Sequence, residues 1–272
     1  MSEQTTILIT GASSGLGLAF LHHYASQPTP TTVLAMDITP LPPSAASHPN
    51  VSFHHVDITS ESALAILATD LQDIPIHILI HSAGIRGLVP EVVDRRRGDA
   101  DGVAAAETWE VMDKATMMRT LEVNTWGIFN TIKTFLPHLR NAAALSSSAS
   151  SVASPLSSPS SSPSAPVVVI LSSRMGSLSA NAAGGGYAYR ASKAGLNAIV
   201  KSFSIDVPEV GFLLLHPGRV ETGLVEWKED GAISAEESLS DCLGIVEKVG
   251  VAGPGGVASG SYVDRFGGRI EW

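Results

Sequence analysis

The feature that most constrains this chain is a repeated alternation. Short runs rich in Ile, Leu and Val, apolar at nearly every position, are separated by longer stretches with helical spacing. The runs lie at 5–10, 32–37, 51–57, 76–82, 167–172, 212–216 and 261–264, and the helical stretches at 15–26, 60–73, 107–141 and 187–206. A strand that is apolar on both faces has no side to offer to water. Helices must cover it above and below, and helices between successive strands make the sheet parallel. The expected fold is α/β: a doubly wound, seven-stranded parallel sheet with helices on both faces, in one domain spanning 1–272.

Two stretches break the rhythm. Residues 146–164 are almost wholly Ser, Pro and Ala, which bury too little apolar surface to offset the entropy of ordering them. They are expected to form a disordered surface insertion, tolerated because loop closure costs rise slowly with length. Residues 86–106 are polar and glycine-containing, and read as an irregular loop or partial lid.

The formal net charge of −9 argues against nucleic-acid or anionic-membrane partners, which reward a basic surface. The one basic run, Arg95 to Arg97, is followed by Asp99 and Asp101 and reads as a solvated loop. Cys242 is the only cysteine, so no intrachain disulfide forms, and it reads as a small buried hydrophobe. No stretch supplies the ~20 apolar residues of a membrane span, and the N-terminus lacks the features of a signal peptide. A cytoplasmic protein is expected. His77 and His81, four apart on a strand, would stand ~13 Å from each other, too far to share a zinc ion, so no metal site is expected.

Thr10-Gly11-Ala12-Ser13-Ser14-Gly15-Leu16-Gly17 stands where the first strand gives way to the first helix. Glycines there let the backbone turn tightly and approach a pyrophosphate, whose charge the helix N-terminus stabilises. Asp37 ends the second strand, where a dinucleotide fold places an acid on the adenosine ribose. Its charge would repel a 2′-phosphate, which favours NAD, although Ser13 and Ser14 leave NADP open. Tyr189-Arg190-Ala191-Ser192-Lys193 sits on a helix, so the Lys193 ammonium and the Tyr189 phenol share a face. A nearby cation brings a phenol, ordinarily near pKa ~10, closer to useful proton exchange at neutral pH.

These points resemble, in order and rough spacing, the short-chain dehydrogenases/reductases. They are the glycine turn, Asp57-Ile58-Thr59, Ser82-Ala83-Gly84, Asn124, Ser172-Ser173, Tyr189 with Lys193, and Pro217-Gly218-Arg219-Val220-Glu221-Thr222. The segments 172–177 and 187–197, with the C-terminal Phe266-Gly267-Gly268-Arg269-Ile270-Glu271-Trp272, are similar to the sniffer-type carbonyl reductase and C-factor branch. The resemblance implies a Rossmann-type fold and a set of roles. Tyr189 would be the general acid/base, Lys193 would lower its pKa and hold the nicotinamide ribose, and Asn124 would hold a water in a proton relay.

Ser173 would polarise the carbonyl, because Ser173-Arg174-Met175-Gly176 matches the family's Ser-x-x-Gly register, with Ser172 as the alternative. The cofactor side would comprise Gly11, Ser13, Ser14, Gly15, Leu16, Gly17, Asp37, Asp57, Ile58, Ala83, Gly84, Asn124, Tyr189, Lys193, Val220 and Thr222. The family's usual Asn-Asn-Ala-Gly is His81-Ser82-Ala83-Gly84 here, which puts the support of the fourth-strand turn in question.

The function expected is hydride transfer between NAD, with NADP possible, and a small-molecule ketone or secondary alcohol. Val89, Met175, Leu178, Leu224, Val225 and Trp227 flank the motifs and suggest a largely apolar pocket. Two other readings stand beside it: a dinucleotide-binding signalling protein with little catalysis, and a non-redox isomerase or dehydratase on the same fold. The resemblance also implies a homodimer or homotetramer paired through the helices bearing Asn124 and Tyr189.

Overall fold

The computed structural model describes residues 4–152, 165–225, 231–251 and 255–272. Seven strands form one parallel sheet: β1 (Thr5–Thr10), β2 (Thr31–Asp37), β3 (Val51–His55), β4 (Ile78–His81), β5 (Val167–Leu171), β6 (Gly211–His216) and β7 (Ser261–Asp264). Their order across the sheet is β3-β2-β1-β4-β5-β6-β7. The Rossmann-type architecture read from the sequence is the one observed.

The continuous apolar runs find their explanation in two cores. Leu8, Leu34, Met36, Leu79, Val168, Ile170, Phe212 and Leu214 point to one face of the sheet. There they meet α3 (Glu61–Asp70), α7 (Gly127–Val152) and α8 (Tyr187–Asp206). The alternate residues Ile7, Ile9, Val33, Ala35, Ile80, Val169, Leu213 and Leu215 point to the other. There they meet α1 (Gly15–Ala25) and α9 (Ala235–Val246). Register locks the layers: Ile7 stands opposite Val33 on one side and Ile78 on the other.

β1 is flanked by β2 and β4, so the chain leaves it in one direction to build β2 and β3 and returns to its other side to build β4. The connections on either side of that switch point diverge and leave a crevice at the C-terminal ends of the strands. The first turn of α1 opens into it.

Three sequence expectations are corrected. Segment 86–106 contains α4 (Pro90–Arg95) and α5 (Gly102–Ala105), after a short α2 (Pro43–Ala46) earlier in the chain. Val89, Val92 and Ala106 give that segment a small core of its own, and Pro90, at the first helical position, fits where no N–H is needed. The expected insertion at 146–164 begins as helix, because α7 continues to Val152. Ser146 and Ser147 hydroxyls donate to the carbonyls of Ala142 and Ala143, so they stay within the helix rather than compete with it. Residues 153–164 lie outside the described residues.

The helix expected from 107 starts instead at Lys114 as α6 (Lys114–Leu121), where the Asp113 carboxylate accepts from Thr116 N–H at 2.8 Å. A π-helical turn, Glu122–Trp126, joins α6 to α7 and carries Asn124. Among the described residues no helix is long and apolar enough to cross a membrane.

Among the described glycines, the least room for a side chain is at the glycine turn. A Cβ on Gly17 would lie 2.0 Å from the Gly11 carbonyl oxygen, and one on Gly11 would lie 2.7 Å from Ala83 N. Gly17→Ala is expected to force β1 and α1 apart, lowering stability by about 1–3 kcal/mol. Denaturant melts measure that loss, and a variant as stable as the parent would show that the junction has slack.

Candidate active site

The crevice is a cleft of about 780 Å³, within the ~300–1,000 Å³ usual for small-ligand sites. It runs from Asp37, Ile38, Asp57 and Ile58 at one end, past the glycine turn, to Ser173, Met175 and Tyr189 at the other. Of the residues singled out from sequence, Gly11, Ser13, Ser14, Gly15, Leu16, Asp37, Asp57, Ile58, Ala83, Gly84, Ser173, Tyr189, Lys193, Val220 and Thr222 line it. Gly17 does not; it packs behind, against Gly11.

The cofactor half has the features that a dinucleotide requires. Gly11 and Gly15 take positive φ (66° and 52°), and a Cβ on Gly15 would meet Thr222 Cγ2 at 2.9 Å. Ser14 precedes α1 without a side-chain cap, and the first turn contains no acid. The free N–H groups of that turn suit an anionic group. Asp37 accepts from Ser13 N–H (3.0 Å) and the Ser13 hydroxyl (2.7 Å), which ties the end of β2 to the glycine turn. Asp57 accepts from Thr59 N–H and the Thr59 hydroxyl. Burial opposes its ionisation, but those bonds, with Arg119 nearby, hold its carboxyl below the usual range.

The support of the fourth-strand turn is resolved by His81. Thr10 Oγ1 lies 3.1 Å from His81 Nδ1 and accepts from Ala83 N–H at 3.3 Å, so the hydroxyl, with the imidazole beside it, supports the turn. His81 Nε2 is buried without a partner. Burial, with the Lys193 ammonium as a lesser cause, pushes the ring down to about 3, so it is neutral at physiological pH.

At the substrate half, α8 presents Tyr189, Lys193 and Asn197 one turn apart, all buried. Lys193 Nζ stands 5.6 Å from the centre of the Tyr189 ring and donates to Leu171 O at 3.0 Å. Burial lowers the Lys193 ammonium to about 8. The serine pair divides. Ser172 is buried and its hydroxyl donates to Asn197 Oδ1 at 2.6 Å. Ser173 Oγ accepts from Met175 N–H at 3.2 Å and, among the described residues, its proton has no acceptor, which leaves it for a ligand in the cleft.

Asn124 is fully buried and does not line the cleft. Its amide accepts from Ile85 N–H and donates to Ile85 O, both at 2.8 Å, and donates to Ser192 Oγ at 3.0 Å. The side chain thus fastens the turn after β4 to α8.

Sequence reasoning missed four residues here. Asn197 shares the helical face of Tyr189 and Lys193, a signal that was present. Tyr262 donates to Ser173 O from β7. Arg86 and Glu107, at the two ends of the inserted segment, form an ion pair beside Tyr189. The apolar wall is thinner than expected. Met175 and Leu224 line the cleft, but Val89 is buried in the small satellite core, and Leu178 and Val225 are off the cleft. Trp227 lies outside the described residues. Arg174 and Arg190 line the same end. Cys242 is fully buried, and burial pushes its thiol up to about 11, consistent with inert packing.

A dinucleotide-binding cleft with a serine, a tyrosine and a lysine at one end defines the class as an oxidoreductase fold. The short chain dehydrogenase family model matches residues 5–232, and the chain belongs to that family, whose members use NAD(P). It is 31% identical over 207 residues to C-signal of Myxococcus xanthus, covering 75% of this chain and 98% of that one. Over 223 residues it is 27% identical to 1-hydroxy-2-glutathionyl-2-methyl-3-butene dehydrogenase of a Rhodococcus strain, covering 80% and 78%. Among solved structures it resembles carbonyl reductase Sniffer of D. melanogaster, with TM-score 0.75 and 25% identity over 99% and 100% of the two chains. An NADPH-bound carbonyl reductase from chicken fatty liver follows with TM-score 0.74 and 23% identity, covering 99% and 100%.

The neutral, buried His81 fixes a pH dependence. Its folded pKa lies below the unfolded value of about 6.5, so its contribution is complete above about pH 6.5 and is lost as pH falls toward 3. His81→Asn should flatten the fall in melting temperature between about pH 7 and about pH 4.5. Parallel curves for parent and variant would remove His81 from the account.

Proposed function

We propose that this protein is an NAD(H)-preferring reductase or dehydrogenase of a small-molecule ketone or secondary alcohol, with Tyr189 as general acid/base. The observation that carries the reading is the convergence of Ser173, Tyr189 and Lys193 on one end of a cleft whose other end is a glycine turn. When bound, the nicotinamide supplies or takes up the hydride. Tyr189 gives a proton to the substrate oxygen in reduction and takes it back in oxidation. Ser173 donates a hydrogen bond to the same oxygen and orients it. Lys193, buried beside the ring, favours the ionised phenol and has donors left for a ribose hydroxyl. Asn124 holds the turn at Ile85, and with it the cleft wall at Gly84, in place.

The substrate's body would lie on Met175, Ala180 and Leu224, with Arg174 and Arg190 at the same end to meet a polar substituent. Trp126 and Ile205, exposed on the π turn and α8, suit the expected pairing of subunits. A second reading, a dinucleotide-binding signalling protein, is favoured by the likeness to a relative named C-signal. Tight NADH binding without turnover on a broad panel of ketones and alcohols would select it. NADH consumption without matching alcohol formation would count against both.

Tyr189→Phe is expected to lower kcat by about 10²–10⁴ while leaving NADH affinity nearly intact. Steady-state rates and fluorescence titration read the two quantities, and undiminished turnover overturns the assignment. For the cofactor, Asp37 is the support: its carboxylate lines the cleft beside the glycine turn and would repel the 2′-phosphate of a ribose bound there. The parent should therefore turn over NADH faster than NADPH. Asp37→Ala should move the ratio of kcat/KM toward NADPH by about tenfold, or ~1.4 kcal/mol. A parent that works better with NADPH sinks the preference.

A further inference from the structure

The segment 87–106 departs from the end of β4 and returns to it, closed by Val89 N–H donating to Ala106 O at 3.0 Å. Arg86 and Glu107 stand at its mouth. The guanidinium grips the carboxylate through two bonds, Nε to Oε2 at 2.8 Å and the terminal NH₂ to Oε1 at 2.9 Å, with side chains only 14% and 11% exposed. The same guanidinium lies over the Tyr189 ring, its carbon 4.9 Å from the ring centre. Glu107 is fastened in turn to the helix that carries Tyr189, because its carbonyl accepts from Gly186 N–H at 3.0 Å. Gly186 takes φ 59°, a left-handed conformation that favours glycine, so this position is suited to the contact as few other residues would be.

We propose that Arg86 and Glu107 act as an opposed pair of positioning residues on Tyr189, setting the pH at which its phenol ionises. The proposal rests on the reading of Tyr189 as the acid/base. A guanidinium on the ring face is drawn to the π cloud, and more strongly to a phenolate. The carboxylate behind it acts in the opposite sense from further away. With both present the two effects largely cancel and the ring is held in one plane. Removing either takes away one of two effects of opposite sign on a phenol that is mostly buried, where charges act more strongly than in water.

Among the described residues, Lys193 from its own helix and Arg86 from the segment mouth lie over the ring, Glu107 stands behind that guanidinium, Tyr262 from β7 acts on the phenol, and Arg174 and Arg190 line the same end of the cleft. Burial pushes Tyr262 up to about 12, so it stays neutral over the range in question. Lys193 is untouched by the substitutions below and acts equally on every variant.

The phenol of Tyr189 can be titrated without a substrate. Ultraviolet difference absorbance between the full chain and its Tyr189→Phe form isolates one tyrosinate, and the subtraction is repeated in Arg86→Met, Arg86→Lys and Glu107→Gln backgrounds. Arg86→Met should raise the midpoint by about one unit, Glu107→Gln should lower it, and Arg86→Lys should stay near the parent. Thermal melts confirm folding, and if Arg86→Met fails to fold, Glu107→Gln and Arg86→Lys decide. Shifts of the same sign in Arg86→Met and Glu107→Gln, or no shift in either, overturn the proposal and leave the pair a purely mechanical tether. The outcome is separable from the functional reading. A Tyr189→Phe form that keeps turnover defeats the catalytic assignment even if the midpoints move as expected, and an inactive one with unmoved midpoints defeats only the pairing.

Discussion

The structure depends on the burial of its central strands from both sides. Once Leu8 must face one core and Ile7 and Ile9 the other, β1 has no edge or face to give to water. Its neighbours must be parallel, and every connection must cross over a face as helix. The switch in direction at β1 then follows, and with it a crevice at one end of the sheet. The same burial brings the glycine turn so close to β4 that Gly11 and Ala83 leave no room for a Cβ. The cleft is a consequence of how the core closes.

Within that frame, the chemistry is held by buried polar groups that brace one another. The Ser172 hydroxyl, Asn197 amide and Tyr262 phenol sit behind Ser173, so that the more exposed hydroxyl is held by its neighbours and left free to act. Asn124 ties the turn after β4 to α8 through Ile85 and Ser192. Lys193 is fastened to the end of β5 through Leu171 O. Three strands and one helix are thus joined by hydrogen bonds whose loss would leave buried groups unpaired, which is costlier than the bonds themselves.

The sheet was readable in the sequence because its signal is local: seven apolar runs, each bounded by turn residues. The glycine turn and the Tyr189–Lys193 pair were readable for the same reason, since each lies within one short segment. What escaped was non-local. Nothing in the neighbourhood of Arg86 announces Glu107, because twenty intervening residues loop out and return. Tyr262 reaches Ser173 from another strand. The segment at 86–106 lacked helical periodicity because α4 and α5 are too short to show it, and the serines from 146 read as too polar to order although the Ser146 and Ser147 hydroxyls bond back along the helix. The loss of apolar wall had a similar source: Val89 flanks the site in sequence but turns into a core of its own.

The π-helical turn at Glu122–Trp126 lets one continuous rod present two differently phased faces. Upstream of it α6 lies against α8, and downstream α7 lies against α3 as well. An added residue in a helix rotates everything beyond it by about 100°. Deleting one position in that turn would restore an unbroken α-helical phase while swinging one of the two faces off its neighbour. The bulge therefore acts as a gearing between two packing requirements, and the length of this stretch is specified together with the Asn124 side chain that it carries.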